Sequence, residues 1–187
     1  MAEAADVADE AGLEHLTLAA VAGRLGVRLP SLYKHVAGVE ALRRDLAVLA
    51  VEELAAALGG ATVGRSKGEA LQALAAAYCA YARAHPGRYA ASVRAPAAGD
   101  EEHSAASDAL LRVVFAVLAG YGVTGSEAVD AIRALRATLH GFMSLEAAGG
   151  FGLPQDVDRS IARAVVHIHT ALQTITDPDE ALEGGST

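Results

Sequence analysis

No stretch of this 187-residue sequence alternates apolar and polar residues with the period of two that a half-buried β-strand requires, and alanine dominates nearly everywhere. Glycines, prolines and capping residues instead divide the chain into segments whose apolar residues recur at helical spacing. We therefore predict an all-α protein. Its helices cover about residues 3–11, 18–25, 30–35, 39–58, 67–84, 105–120, 126–148 and 155–174, with a short helix after Pro86.

The glycine- and threonine-rich stretch 59–66 is the best candidate for a hinge between two units. It separates a small N-terminal unit, residues 1–58, from a larger C-terminal one, residues 59–176, which leaves an acidic and then small, polar tail at 177–187. At 52% apolar residues the chain is rich enough to bury a core, so we expect order in most of it and a flexible tail.

Composition also limits the compartment. The longest uncharged stretches, 70–82 and 113–126, are shorter than the roughly 18 residues that span a bilayer, so no transmembrane helix is expected. Residues 1–14 carry five acids and no base, unlike a secretory signal. Cys79 is the only cysteine, which excludes an internal disulfide and a cysteine-rich zinc site. We expect a cytoplasmic protein.

Charge is distributed unevenly. The whole chain has a formal charge of −8, which argues against binding nucleic acid through bulk charge. Residues 17–44, however, carry five bases and one acid, a local excess of four positive charges. The sequence thus predicts a basic patch on an acidic body.

Residues 17–35, which we call the recognition segment, read TLAAVAGRLGVRLPSLYKH. Their apolar positions predict two short helices that share a small core across a tight turn at Gly26, the layout of a helix-turn-helix. Most of the polar residues fall away from that core and would suit a DNA major groove: Arg28, Ser31, Tyr33, Lys34 and His35. The alternative is an ordinary two-helix corner with a solvated polar face.

A longer stretch, EAGLEHLTLAAVAGRLGVRLPSLYKHVAGVEALRRDLA, closely resembles the DNA-binding domain of the tetracycline-repressor (TetR/AcrR) family of transcriptional regulators. Two further stretches, YARAHPGRYAA and LHGFMSLEAAGGFGLP, resemble the regulatory domain of a branch of that family, the one with a WHG-type C-terminal domain. The resemblance implies a three-helix helix-turn-helix domain with a linking helix, followed by a helical bundle that binds a ligand and dimerises.

The resemblance also implies roles for single residues. Thr17 would meet phosphate at the start of the second helix, and Tyr33 and His35 would anchor to the DNA backbone. Arg28 and Ser31 stand where family members commonly reach bases, and Lys34 would reach base or phosphate. Leu32 is expected in the core.

Four residues are candidates for contact with an effector: Tyr78, Tyr81, Phe115 and His140. They lie in the helices among which the family holds its effector, and three of them have polar tips amid aliphatic residues, as in a typical small-molecule pocket. The alternative is that each polar tip is buried and satisfied by a backbone carbonyl.

Long apolar stripes run along the last two helices, at Ile132, Leu135, Leu139 and Phe142 and at Val157, Ile161, Val165, Ile168 and Leu172. One copy could bury them internally. In regulators of this type, these helices form a four-helix bundle across a two-fold axis, so we expect a homodimer.

Other constellations carry little chemistry. Residues 59–66, GGATVGRS, resemble a P-loop but follow a helix instead of a strand. His167 and His169 point to different helix faces, and Asp100 and His103 form a single acid-x-x-His motif, so no metal site, cofactor or enzyme activity is expected.

These observations favour a ligand-responsive, homodimeric regulator that binds operator DNA. We expect it to act as a repressor that a small-molecule effector of unknown identity releases from the DNA. The alternative is a dimer that binds a small molecule and has lost operator binding, an idea suggested by the acidic start and by Val39, where the family often has lysine.

Overall fold

A computed structural model describes residues 1–175, and every regular element within that range is helical. After a short 3₁₀ turn at Leu13–His15 that separates the first two helices, the order continues without a strand in the described range. The helices are α1 (Ala2–Ala11), α2 (Leu18–Leu25), α3 (Leu29–Leu32), α4 (Val39–Thr62), α5 (Lys67–Ala84), α6 (Pro86–Ser92), α7 (Glu101–Ala119), α8 (Gly125–Ala147) and α9 (Val157–Ile175). The predicted all-α class is confirmed, and the predicted tail, 177–187, lies outside the described residues.

Helix α4 is longer than predicted. It continues through Gly59 and Gly60 to Thr62, although glycine inside a helix costs about 1 kcal/mol relative to alanine. Packing and a side-chain hydrogen bond stabilise the C-terminal end of α4. A Cβ on Gly59 would lie 3.6 Å from Val113, and the Thr62 hydroxyl donates to the Leu58 carbonyl at 3.0 Å. The predicted end of this helix at residue 58 is therefore wrong, and only residues 63–66 join α4 to α5.

Helix α3 is shorter than the predicted 30–35. The regular helix ends at Leu32, and a tight turn follows in which the Leu32 carbonyl accepts both the His35 N–H at 2.9 Å and the Val36 N–H at 3.0 Å. Gly38 follows at φ 135°, a conformation that residues with side chains rarely adopt. Helix α7, in contrast, begins four residues earlier than predicted, because an Asp100 carboxylate oxygen accepts the His103 N–H at 3.1 Å and caps its N-terminus.

Contacts divide the chain into two compact units, and each unit combines two segments. The first consists of Met1–Ala56 with Ala80–Leu110, and the second of Ala57–Cys79 with the chain from Leu111 on. The functional boundary expected at residues 58 and 59 stays a prediction.

The first unit is built on small side chains that let helices approach closely. Ala8 of α1 and Leu46 of α4 are completely buried, and Ala91 of α6 joins the same core. Gly87 lies directly against α1, where a Cβ would be 2.0 Å from the Ala8 carbonyl oxygen. Only glycine fits at this contact between α1 and α6.

The second unit buries leucines from four helices: Leu71 and Leu74 of α5, Leu118 of α7, Leu139 of α8 and Leu172 of α9. At one junction the Tyr121 hydroxyl lies 2.6 Å from His169 Nδ1. Gly68 leaves room for that imidazole, since a Cβ there would be 3.0 Å from its Cε1 atom. Among the described helices, none has the length and apolar character needed to cross a membrane.

Candidate functional site

The recognition segment is shaped by local backbone chemistry. The Thr17 side chain accepts the Ala20 N–H at 3.1 Å and caps α2, as its position before the helix predicts. Gly26 ends α2 in the left-handed conformation at φ 66°, and the Val27 N–H returns to the Ala22 carbonyl at 3.0 Å. The two short helices are thus joined by a defined turn.

Burial separates the supporting side of this segment from its free side. Leu18, Val21 and Ala22 are buried, and Leu32 packs partly against the same core. The predicted contact residues are all exposed: Thr17, Arg28, Ser31, Tyr33, Lys34 and His35. A surface that carries all six is therefore accessible, while their contacts with DNA stay a prediction.

The predicted basic patch is largely neutralised, because three of its five bases bind acids. Arg24 and Arg44 bind acids outside residues 17–44, and Arg43 binds Glu40 within them. Arg24 donates to Glu3 at 2.9 Å and to Glu10 at 2.5 Å, and these hydrogen bonds raise the pKa of Arg24 above its usual range. Both acids belong to α1. The acidic residues of α1 thus neutralise a positive charge on α2.

The other two neutralised bases lie on α4. Arg44 donates to both Asp100 oxygens and, at 2.5 Å, to Glu102, and its bond lowers the pKa of the Asp100 carboxyl. Arg43 binds Glu40 at 3.1 Å and also donates to backbone carbonyls.

Within residues 1–175, neither Arg28 nor Lys34 forms an ion pair. Among the five bases of residues 17–44, the two that remain available to phosphate or base thus lie on either side of α3. The charge that this part of the chain presents is therefore smaller than its residue count indicates. Few cations on a surface mean few released counterions when it binds DNA.

A second charged cluster, centred on Arg88, was not predicted. The Arg88 side chain donates to Asp6 at 3.2 Å and to Glu53 at 3.3 Å, so α6 is linked to both α1 and α4. Its backbone N–H donates to Asp9 at 2.8 Å, which caps the first turn of α6 from another helix. The helical spacing of acids in α1 was the available signal, but their partners are distant in sequence.

The four predicted effector residues have different environments. Tyr78 is buried, His140 is half-buried and Phe115 is 38% exposed. The Tyr81 hydroxyl lies 3.2 Å from the Ala50 carbonyl oxygen and 3.0 Å from Glu53, and burial, followed by the bond to Glu53, raises its pKa. Tyr81 thus has the satisfied polar tip of the alternative explanation. Ligand contact by all four stays a prediction.

A cavity of about 210 Å³ that was not predicted lies at the connection between α8 and α9. Its lining consists of a glycine-rich loop and the start of α9: Gly150, Phe151, Gly152, Leu153, Gln155, Val157 and Ser160. Phe151 stacks on Phe142, with ring centroids 5.8 Å apart. None of the predicted effector residues belongs to this lining.

The apolar stripes of α8 and α9 lie mainly in the core of a single chain. Leu135, Leu139, Ile161, Val165 and Leu172 are all buried without a second copy, and the remaining stripe residues are half-buried. One chain therefore covers most of both stripes by itself, and a dimer interface along them stays a prediction. Other side chains of the same helices stay exposed, among them Val129 at 37% and Val166 at 46%.

No group of three or more potential metal ligands occurs in the part of the chain that the structure describes. His169 binds Tyr121, while His167 is exposed.

Comparison with known proteins relates this architecture to regulators. Residues 71–168 match the family model described as tetracyclin repressor-like, C-terminal domain. The chain is 39% identical over 142 residues to the uncharacterized HTH-type transcriptional regulator Rv0681 of Mycobacterium tuberculosis (strain ATCC 25618 / H37Rv). That alignment covers 75% of this chain and 65% of the relative, so the chain spans just under two thirds of the relative's length.

Two further proteins are similar over most of their length. The uncharacterized HTH-type transcriptional regulator YobS of Bacillus subtilis (strain 168) is 32% identical over 163 residues, which cover 87% of this chain and 84% of YobS. The solved structure of the TetR family transcriptional regulator PfmR from Thermus thermophilus shares the fold, with a TM-score of 0.67 at 20% identity over 90% of this chain and 95% of that one. Because the family model matches more than half of the chain and YobS aligns with most of it, the chain belongs to the TetR family of transcriptional regulators.

Proposed function

We propose that the protein is a homodimeric repressor that binds operator DNA and is released from it by a small-molecule effector. One observation carries this proposal: the recognition segment is held by a capped helix and a left-handed glycine turn, and all six predicted contact residues are exposed on it. Such a surface is accessible to DNA. Operator DNA would place this activity in the cytoplasm.

Different residues would perform different parts of DNA binding. Thr17, Tyr33 and His35 would contact phosphates, which position a protein but carry no sequence information. Arg28 and Ser31 would face base edges, and Lys34 would reach base or phosphate. Since Arg24, Arg43 and Arg44 are already bound to acids, we expect few phosphate contacts and a shallow dependence of affinity on salt.

Dimerisation through α8 and α9 would give the two-fold symmetry that matches paired half-sites in an operator. Because the apolar stripes are used inside one chain, the dimer face must use side chains that one chain leaves exposed. Val129 and Val166 are apolar candidates on these helices.

The effector would act by binding one conformation better than the other, since a ligand shifts an equilibrium only by its differential affinity. We propose that Tyr78, Phe115 and His140 contact it in the C-terminal domain, with Tyr81 as a further candidate. Helix α4 would transmit the effect of ligand binding to the DNA-binding part, because its residues contribute to both compact units.

A second candidate function is favoured by the ion pairs described above. A basic patch that has lost Arg24, Arg43 and Arg44 to internal acids could be too weak to hold an operator. The protein would then be a dimer that binds a small molecule without binding DNA.

Fluorescence anisotropy with the DNA upstream of the protein's own gene distinguishes the two functions. We expect the full chain to prefer this duplex to a shuffled duplex of the same composition, with affinity falling between about 50 and 200 mM salt. The double variant R28A/K34A should lose most of the affinity. The matched control K67A/R112A, which removes one exposed lysine and one exposed arginine outside the recognition segment, should keep it. Failure to bind either duplex, even at about 50 mM salt, would favour the second function.

A further inference from the structure

The recognition segment exposes several apolar side chains in addition to its polar ones. Val27 is 44% exposed, Leu29 36% and Tyr33 59%, within a stretch of seven residues. Arg28 lies in the same stretch and Lys34 directly follows it, and neither forms an ion pair within residues 1–175. Exposed valine and leucine side chains do not bind phosphate. Their removal from water is favourable, so they are suited to an apolar contact.

Helical spacing arranges these residues in order around α3. Leu32 packs partly against the core, so the side of the helix opposite to it is the free side. Pro30 lies near the middle of that free side, and Lys34 follows two residues after the helix ends; both are exposed. Leu29 precedes Leu32 by three residues and therefore lies on the flank of the free side next to the core, where it is 36% exposed. Tyr33, four residues after Leu29 and in a helical backbone conformation, lies on the same flank. This flank, which would face the DNA bases in the proposed function, is therefore apolar.

The major groove offers one apolar group to such a flank. Of the base edges displayed there, only thymine carries a methyl group, at C5, while the others present hydrogen-bond donors and acceptors. The cations on either side favour DNA as the occupant: Arg28 separates Val27 from Leu29, and Lys34 lies in the turn that follows α3. An apolar protein partner would leave these two charges without counterparts.

We propose that Leu29, supported by Val27, reads the C5 methyl group of a thymine in each operator half-site. This inference rests on the proposed function and makes it more specific. Leu29 is then a specificity residue, acting through removal of a methyl group from water, and Arg28 next to it supplies charge and hydrogen bonds to a neighbouring base or phosphate.

The test removes that methyl group from the DNA and changes nothing else. Duplexes that the full chain enriches from a random library are resynthesised with deoxyuridine in place of thymidine, one symmetric pair of positions at a time. Burying one methyl group changes an equilibrium constant roughly fourfold. We therefore expect one pair of positions at which the replacement weakens binding by about fifteenfold over both half-sites, while replacement elsewhere has little effect.

Variants connect the effect to the residue. In L29A, and in L29Q, which keeps the length of the side chain, the thymidine and deoxyuridine duplexes should bind equally well. V63A removes apolar surface from a residue that is 75% exposed outside the recognition segment, and it should keep the full discrimination. Circular dichroism checks that each variant is folded, and two variants at position 29 protect the test against failure of one.

Three outcomes would overturn the inference. Enriched duplexes that bind equally with thymidine and deoxyuridine at every position would show that methyl groups are not read, although the protein binds DNA. Discrimination that survives in L29A and L29Q would assign the methyl contact to another residue. If no duplex is enriched, the proposed function fails as well, and an apolar partner other than DNA becomes the explanation of the surface.

Discussion

Replacing Gly87 by alanine should destabilise the first unit by about 3 kcal/mol. The added Cβ would lie 2.0 Å from the Ala8 carbonyl oxygen, and backbone atoms offer no flexible end that could move aside. Because ordinary contacts begin near 3.4 Å, α1 and α6 would have to separate by more than 1 Å. Overpacking costs about 1–3 kcal/mol. The separation also weakens the bond from the Arg88 N–H to Asp9, worth about 1 kcal/mol.

Thermal unfolding followed by circular dichroism measures this loss. For a chain of this length, about 3 kcal/mol corresponds to a fall of roughly 6–12 °C in Tm. Gly60→Ala is the matched control, because Gly60 is an exposed helical glycine of α4 with nothing within 4 Å of an added Cβ. It should raise stability by about 0.5–1 kcal/mol. If G87A melts at or above the temperature of the wild type, the contact between α1 and α6 is not as close as described.

Three further predictions concern the dimer, the DNA and the response to acid. V166D should dissociate the dimer, as measured by light scattering, while thermal unfolding stays cooperative. I161D, at a buried position, should unfold the chain. If V166D is still a dimer, the interface lies elsewhere. R28A should flatten the preference at one base pair per half-site by about 1–3 kcal/mol on a panel of single-base operator variants, and an equal loss on every duplex would mean that Arg28 contacts only phosphate. The bond to Arg44 lowers the pKa of Asp100, so its contribution is present above the usual carboxyl pKa of about 4 and is lost as the pH falls further. The D100N variant keeps a capping side chain, so its urea midpoint should fall less than that of the wild type between about pH 6 and pH 3. An identical fall in both proteins would contradict a role of Asp100 ionisation in acid sensitivity.

Local features of the fold were predictable because their causes are local. Thr17 and Gly26 mark the ends of α2 through bonds made within a few residues, so the sequence predicts both ends correctly. Gly59 and Gly60 mislead for the opposite reason. Their low helix propensity is visible in the sequence, but the packing against Val113 that overrides it is not.

The candidate sites show the same limit. Periodicity identifies the stripe that contains Ile161 and Leu172 as apolar, but it does not say whether one chain or two chains cover it. Charge counting over 17–44 likewise misses that Arg44 binds Asp100, which is 56 residues away. Exposure of the recognition segment was predictable from spacing, whereas its net charge depends on tertiary pairing.

The contact between α1 and α6 limits how freely evolution or an engineer could exchange the DNA-binding part of this protein. Residues 1–58 contain the whole helix-turn-helix, but the surface of α1 that receives Gly87 and Ala91 would be wet without α6. Asp9 would also lose the Arg88 N–H that it accepts from α6. A chimera that transplants residues 1–58 alone onto another regulator should therefore fold poorly, unless the host supplies an equally small and basic helix at that place.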